Sequence, residues 1–190
     1  MQELGVKKAH VAGVSLGAVI GIWLSVKYPD KVKSLSVHSG WSKTDLFLKT
    51  VVEGWQVMAK ALGSVAETVI MGIFPWCFTP SLYASKPEYI NTLAEFVRGR
   101  PAQPIDAFLR QTEAVISHDC VAQLNKIKAP TLITFGEYDM ITSTRFADTM
   151  KNNIRNSELL IFKGCSHAAL YENTEEFNQK TLDYLARHSG

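Results

Sequence analysis

The sequence has few cysteines, no run of like charge and no uninterrupted apolar segment long enough to cross a bilayer. Each absence excludes something. Its three cysteines, Cys77, Cys120 and Cys165, are an odd number without framework spacing. They read as reduced thiols in a cytoplasmic protein rather than as a disulfide scaffold. A net charge of +2 with no basic cluster gives no reason to expect nucleic acid or an anionic membrane surface as partner. The longest apolar stretch, Val11 to Val26, is broken by Gly13, Gly17 and Gly21 and carries Ser15 and Ser25, too short and polar for a span. Met1 to Ala9 holds Glu3, Lys7 and Lys8 and lacks the apolar run of a secretory leader. There is no His-Glu-x-x-His, no Cys-x-x-Cys, no Gly-x-Gly-x-x-Gly and no phosphate-binding loop, so no metal and no cofactor is expected. Repeats and low-complexity tracts are missing too.

What is present is an alternation of short apolar strands and amphipathic helices over 190 residues, 46% of them hydrophobic. Strand candidates are Ala9 to Val14, Val32 to His38, Thr131 to Phe135 and Glu158 to Phe162. Helical patterns follow at Ala18 to Tyr28, Ser143 to Asn153 and Thr174 to Arg187, the last capped by Asn173. Such alternation implies an α/β fold with a parallel sheet covered on both faces. From Ser42 to about Cys120 the alternation stops. Helical spacing (Leu46, Phe47, Thr50, Val51, Trp55, Met58, Leu62) takes over, cut by Pro75, Pro80, Pro87, Pro101 and Pro104. Residues 1–41 and 119–190 are therefore read as the core, and 42–118 as a helical cap insertion.

The densest chemical signal is Gly13-Val14-Ser15-Leu16-Gly17, set between a strand and a helix. A sharp strand-to-helix turn lifts a serine hydroxyl above the carboxyl edge of the sheet. Glycine is expected at both 13 and 17 because side chains there would collide. The Leu16 amide, at the helix N-terminus, faces a developing oxyanion. A serine nucleophile needs a base, and the base an orienting acid. Asp139 follows the third strand in Phe135-Gly136-Glu137-Tyr138-Asp139, and His167 follows the fourth in Gly164-Cys165-Ser166-His167. Either residue alone would be a commonplace loop residue. Together they fall in loops at one sheet edge, where ligands bind in such folds. Glu137 is the competing acid, and His38 reads as structural, with lining of the site as the alternative because it ends a strand.

These three motifs, with Ser34 to Trp41 and His167 to Phe177, make the chain resemble the α/β-hydrolase family over nearly its whole length. In detail it is similar to the small capped branch around 3-oxoadipate enol-lactonase and aminoacrylate hydrolase. The resemblance agrees with a Ser15, Asp139, His167 triad and with Leu16 in the oxyanion hole. From their places in the sequence, Val14, Trp41, Phe74 and Trp76 are expected to line a pocket, with Trp55 and Phe78 as further candidates; the alternative for most of the aromatic residues is packing within the cap. The resemblance also exposes a departure. In the family the nucleophile follows the fifth of eight strands, whereas here 14 residues precede Ser15. The expected fold is thus the C-terminal part of an α/β hydrolase: four parallel strands, flanking helices and a cap. On that reading the loop that carries a second oxyanion donor in the family is expected to be missing.

The expected activity is hydrolysis of a small carboxylic ester, lactone or activated amide through an acyl-enzyme on Ser15. Dehalogenation on this fold resembles a case with aspartate at the elbow and is disfavoured. Acyl transfer and cofactor-free peroxidase chemistry stay open. The alternative is a catalytically impaired, truncated hydrolase serving as a binding or assembly partner. On either reading the strand at Ala9 to Val14 would lie at a sheet edge, which suggests a homodimer or a complementing N-terminal fragment.

Overall fold

A computed structural model describes residue 3 and residues 5–189. Met1, Gln2 and Leu4, part of the stretch read as too charged for a secretory leader, and Gly190 lie outside the described residues. The chain divides into two units. One comprises the described residues up to Lys43 with those from Asp119 onward, and the other is Thr44–His118.

The first unit is built on four strands, β1 (Ala9–Val14), β2 (Val32–His38), β3 (Thr131–Gly136) and β4 (Ser157–Phe162). They lie in the order β1-β2-β3-β4, and every pair is parallel. Among the described residues β1 and β4 are the sheet edges. Strand limits agree with the sequence expectation to within one residue. Helix α1 (Leu16–Lys27) lies close on one face: a Cβ at Gly21 would come within 3.0 Å of Leu35 Cδ1 and 3.3 Å of Val11 Cγ1. It starts two residues earlier than its periodicity suggests, because the Ser15 turn runs straight into it. It ends before Tyr28 (φ −134°, ψ 59°), since Pro29 bars helical backbone in the residue ahead of it. Helix α10 (Thr174–Arg187), capped by Asn173, covers the opposite face. There the Phe177 ring lies 5.5 Å from Phe162 and 4.6 Å from His38. The helix expected over Ser143 to Asn153 is a 3₁₀ turn, Thr144–Phe146, followed by α8 (Ala147–Asn153). A short α9 (Ala169–Glu172) precedes α10.

The second unit is all helical: α2 (Leu46–Leu62), α3 (Val65–Thr68), a π-helical turn (Val69–Ile73), α4 (Phe74–Cys77), α5 (Pro80–Ser85), α6 (Pro87–Arg98) and α7 (Ile105–Ile116). Asp45 caps α2 by accepting from the Leu48 N–H at 2.8 Å. Pro80 and Pro87 occupy the first helical position of α5 and α6, where a missing N–H has no intrahelical acceptor to lose. The prolines therefore open these helices instead of merely ending others. Ala59, Val65 and Phe108 form a small core with Trp55, Val69, Ile73 and Ile105. No helix among the described residues is long and apolar enough to cross a membrane.

Strand β2 alternates by face. Leu35 and Val37 are fully buried apolar residues, while Ser34, Ser36 and His38 form a buried polar stripe on the α10 side. His10 Nδ1 lies 2.7 Å from Ser34 Oγ and His38 Nδ1 lies 2.8 Å from Thr134 Oγ1. His38 is thus a packed interior residue, 3% exposed, in keeping with a structural role. Burial disfavours its charged form and pulls it down to about 4. Between that value and the ordinary histidine range the unfolded chain holds a proton the folded chain does not, so stability rises with pH there. Unfolding free energy from urea titrations should accordingly fall by about 3 kcal/mol between neutral pH and pH 4 through this group. His38→Asn, which keeps a partner for Thr134 and cannot titrate, should flatten that limb; an unchanged slope would show that His38 does not set it.

Candidate functional site

Ser15 sits between the last residue of β1 and the first of α1 with φ 54° and ψ −123°, a positive φ that a residue with a side chain adopts only under strain. Its N–H donates to the His38 carbonyl at 2.9 Å, continuing the β1–β2 ladder by one rung. Serine at a helix start ordinarily caps it through its hydroxyl, as Ser64 does for α3. Ser15 makes no such bond, so the hydroxyl is left to other work. Leu16 opens α1, and the first N–H of a helix has no intrahelical acceptor. The turn depends on Gly13, where a Cβ would fall 2.2 Å from the Gly17 carbonyl oxygen. The expectation that Gly17 is equally constrained is corrected: a Cβ there meets nothing within 4 Å.

Asp139 and His167 come together as the sequence suggested. His167 Nδ1 lies 2.9 Å from Asp139 Oδ2, and both residues are buried. The other carboxylate oxygen, Oδ1, accepts from the N–H groups of Ile141 (2.9 Å) and Thr142 (3.0 Å). Burial is the largest single influence on this carboxyl and would push it up. The charge and hydrogen bond of His167, with those of the Thr142 N–H and hydroxyl, outweigh it and hold Asp139 below the usual carboxylate range. Because His167 Nδ1 is engaged by the acid, its Nε2 is the nitrogen left as acceptor. Glu137, the rival acid, is occupied elsewhere, accepting from Lys163 Nζ and the Gly164 N–H at 2.9 Å each.

The loops after β3 and β4 are clamped together by backbone contact. The Glu137 N–H donates to the Phe162 carbonyl (3.0 Å) and the Tyr138 N–H to the Cys165 carbonyl (2.8 Å). Such proximity requires Gly136, where a Cβ would fall 1.9 Å from the Ser166 carbonyl oxygen. The Ser166 N–H is held in turn by the Glu172 carboxylate. Two participants escaped the sequence reading. Ser39, one residue past β2, donates from Oγ to the His167 carbonyl at 3.0 Å, and Thr142 Oγ1 lies 2.9 Å from Asp139 Oδ2. Isolated hydroxyl residues in loops carry no motif, so nothing but the folded geometry reveals them.

Of the residues expected to line a pocket, Val14 ends β1 in register with His38 and is half-buried. Trp41 is among the largest fully buried side chains, at 2% exposure. Phe74 and Trp76 belong to the helical unit. Phe74 is buried edge-on to Phe78 at 5.2 Å, and Trp76 meets Phe47 edge-on at 6.2 Å. Trp76 shares a groove of about 470 Å³ with Phe47, Trp55 and Met58. No group of three or more metal-ligating side chains gathers among the described residues.

A parallel sheet whose strand ends present a serine turn, an aspartate and a histidine in that chain order defines an α/β hydrolase core. The family model for the alpha/beta hydrolase fold matches residues 1–174, and the chain belongs to that family. It is 24% identical over 194 residues to a putative carbamate hydrolase, RutD, of Stutzerimonas stutzeri, covering all of this chain and 71% of the relative. It is 26% identical over 200 residues to 2-hydroxy-6-oxo-6-phenylhexa-2,4-dienoate hydrolase of Burkholderia cepacia, covering 98% and 65%. The chain thus spans about two thirds of the length of these relatives. Among solved structures it is similar to MGS-M2, an alpha/beta hydrolase enzyme from a Medee basin deep-sea metagenome library, with a TM-score of 0.87, 28% identity and coverage of 97% and 67%. It shares its fold with the enol-lactonase of Burkholderia xenovorans LB400, with a TM-score of 0.84, 16% identity and coverage of 98% and 68%.

The backbone approaches make a graded prediction. Gly13→Ala and Gly136→Ala should each destabilise the protein by more than about 2 kcal/mol in urea unfolding, since backbone must move. Gly17→Ala should be neutral or stabilising by up to about 1 kcal/mol, as alanine is the better helix former. Equal effects at 13 and 17 would contradict the turn geometry.

Proposed function

We propose that this protein is a serine hydrolase that cleaves a small carboxylic ester, lactone or activated amide through an acyl-enzyme on Ser15. The observation that carries the reading is the buried Asp139–His167 bond of 2.9 Å, formed at the same sheet edge as a strained serine turn whose hydroxyl caps nothing. The adjacent rungs of the sheet support it: the Ser15 N–H is bonded to His38, and the next residue, Ser39, is bonded to His167. In this reading Ser15 Oγ attacks the carbonyl carbon while His167 Nε2 takes its proton. Asp139 holds the imidazole tautomer and stabilises the imidazolium. The Leu16 N–H, at the positive end of α1, donates to the oxyanion. The imidazolium then protonates the leaving group, and a water activated by the same nitrogen releases the acid. Relatives whose names denote a carbamate hydrolase and a dienoate hydrolase support hydrolysis as the class of reaction. Val14, Trp41, Phe74 and Trp76 are assigned to the acyl pocket from their places in the sequence, and their apolar character favours an apolar acyl group.

An active-site phosphonate should label the protein at Ser15 alone, as read by peptide mass mapping, and Ser15→Ala should abolish the label; labelling that survives the substitution would refute the assignment. Asp139→Asn should preserve the fold and lower turnover of a p-nitrophenyl ester by up to about 10⁴-fold, through the wrong histidine tautomer. Should Glu137→Gln prove the more damaging change, the acid has been misassigned.

A further inference from the structure

Four side chains from three loops close a ring. His167 Nδ1 donates to Asp139 Oδ2 at 2.9 Å. Thr142 Oγ1 lies 2.9 Å from that same oxygen and 2.9 Å from the Ser39 carbonyl. Ser39 Oγ then donates to the His167 carbonyl at 3.0 Å. Ser39 follows β2, Asp139 and Thr142 follow β3, and His167 follows β4, so the ring ties the ends of three adjacent strands. All four residues are buried, Thr142 completely.

Two features distinguish this ring from ordinary packing. The first is Ser39, whose φ of 49° lies in the left-handed region where glycine is unstrained. A side chain is held there at an energetic penalty, and its hydroxyl is the group that fixes the His167 main chain. The second is Thr142. Its hydroxyl has one proton and two acceptors at equal distance, with His167 Nδ1 3.3 Å away. A hydrogen bond to a carboxylate is about twice as strong as one to a neutral carbonyl, so the proton faces Asp139 while that group is ionised. In that position it occupies the remaining acceptor site of the oxygen that binds His167 and closes it to water.

We propose that Thr142 and Ser39 are positioning residues that hold the His167–Asp139 pair in place for proton transfer at Ser15. The inference rests on the serine-hydrolase reading. Neither side chain touches the substrate in this role, so both act on the chemical step rather than on binding. Valine at 142 retains the shape and removes the donor. Glycine at 39 relieves the backbone and removes the hydroxyl.

The full chain and its variants would be compared with a p-nitrophenyl ester, with phosphonate labelling and by proton NMR of the far-downfield Nδ1–H resonance of His167. Thr142→Val and Ser39→Gly should each lower kcat by about 10- to 100-fold, in keeping with the sensitivity of such steps to small misplacements, and leave KM within about twofold. Thr142→Ser should recover most of the loss, and the downfield resonance should be shifted or broadened in Thr142→Val and restored in Thr142→Ser. Wild-type kcat and resonance in Thr142→Val would overturn the proposal. So would equal impairment of the valine and serine variants, which would point to the methyl group as packing. If Thr142→Val does not fold, Ser39→Gly with wild-type kcat is the overturning result. Absence of both turnover and Ser15 labelling in the parent chain would reject the hydrolase reading instead, and the resonance would still decide whether the ring holds the Nδ1 bond.

Discussion

A carboxylate removed from water stays ionised only if protein groups replace its hydration, and Asp139 is the place where this fold meets that demand. Two main-chain N–H groups fill one oxygen; a hydroxyl and an imidazole fill the other. None of these donors is available to the isolated segment as a set. The N–H pair requires the turn after β3, and the imidazole requires the loop after β4 to lie against that turn. The hydroxyl adds the loop after β2 through the Ser39 carbonyl. Burial alone would push the carboxyl towards its neutral form. The close approach at Gly136 and the parallel order of the strands are therefore conditions for a charged Asp139, and through it for an oriented His167 imidazole.

Backbone strain gathers around the same edge. Among the described residues the non-glycine positions with positive φ are Ser15, Ser39 and Ser143. The first follows β1, the second follows β2, and the third stands in the loop after β3. Each is a serine, whose small side chain tolerates the conformation better than a branched one and whose hydroxyl can bond locally. Ser39 Oγ meets the His167 carbonyl, and Ser143 Oγ meets the Arg145 main chain and guanidinium. Ser15 stands at the head of α1, yet its hydroxyl makes no cap. The sheet supplies the rigidity that holds these residues in place: β3 is buried along its full length, and β2 at every residue but Lys33.

Much of this was legible before the structure. Strand positions could be read because parallel strands are short, apolar and bounded by turn residues, as Thr131 to Phe135 is by Pro130 and Gly136. The serine turn could be read because its geometry needs a small residue at a fixed offset, which leaves a written trace at Gly13. The same reasoning overreached at Gly17, where the motif carries a glycine that no neighbour in this chain requires. It read His38 as structural, with lining of the site as the lesser alternative, and alternation along β2 turns the ring inward toward Phe177. Prolines in the helical segment were read as breaks, yet Pro80 and Pro87 begin helices, a distinction that depends on where the preceding chain arrives.

The sequence by itself determined the α/β class, the strand-to-helix serine turn and the places of Ser15, Asp139 and His167 after their strands, because each is a local pattern enforced by side-chain period or backbone sterics. The sequence pointed to Asp139 as the partner of His167; tertiary structure alone decided what surrounds the pair. It excluded Glu137 by giving it to Lys163 and Gly164, and it drew Ser39 and Thr142 into the bonds around the pair. The reason is that hydrogen bonds between distant loops depend on positions accurate to a few tenths of an ångström. Those positions are set by the sheet register and the packing of α1 and α10, and no spacing of letters along one chain encodes them.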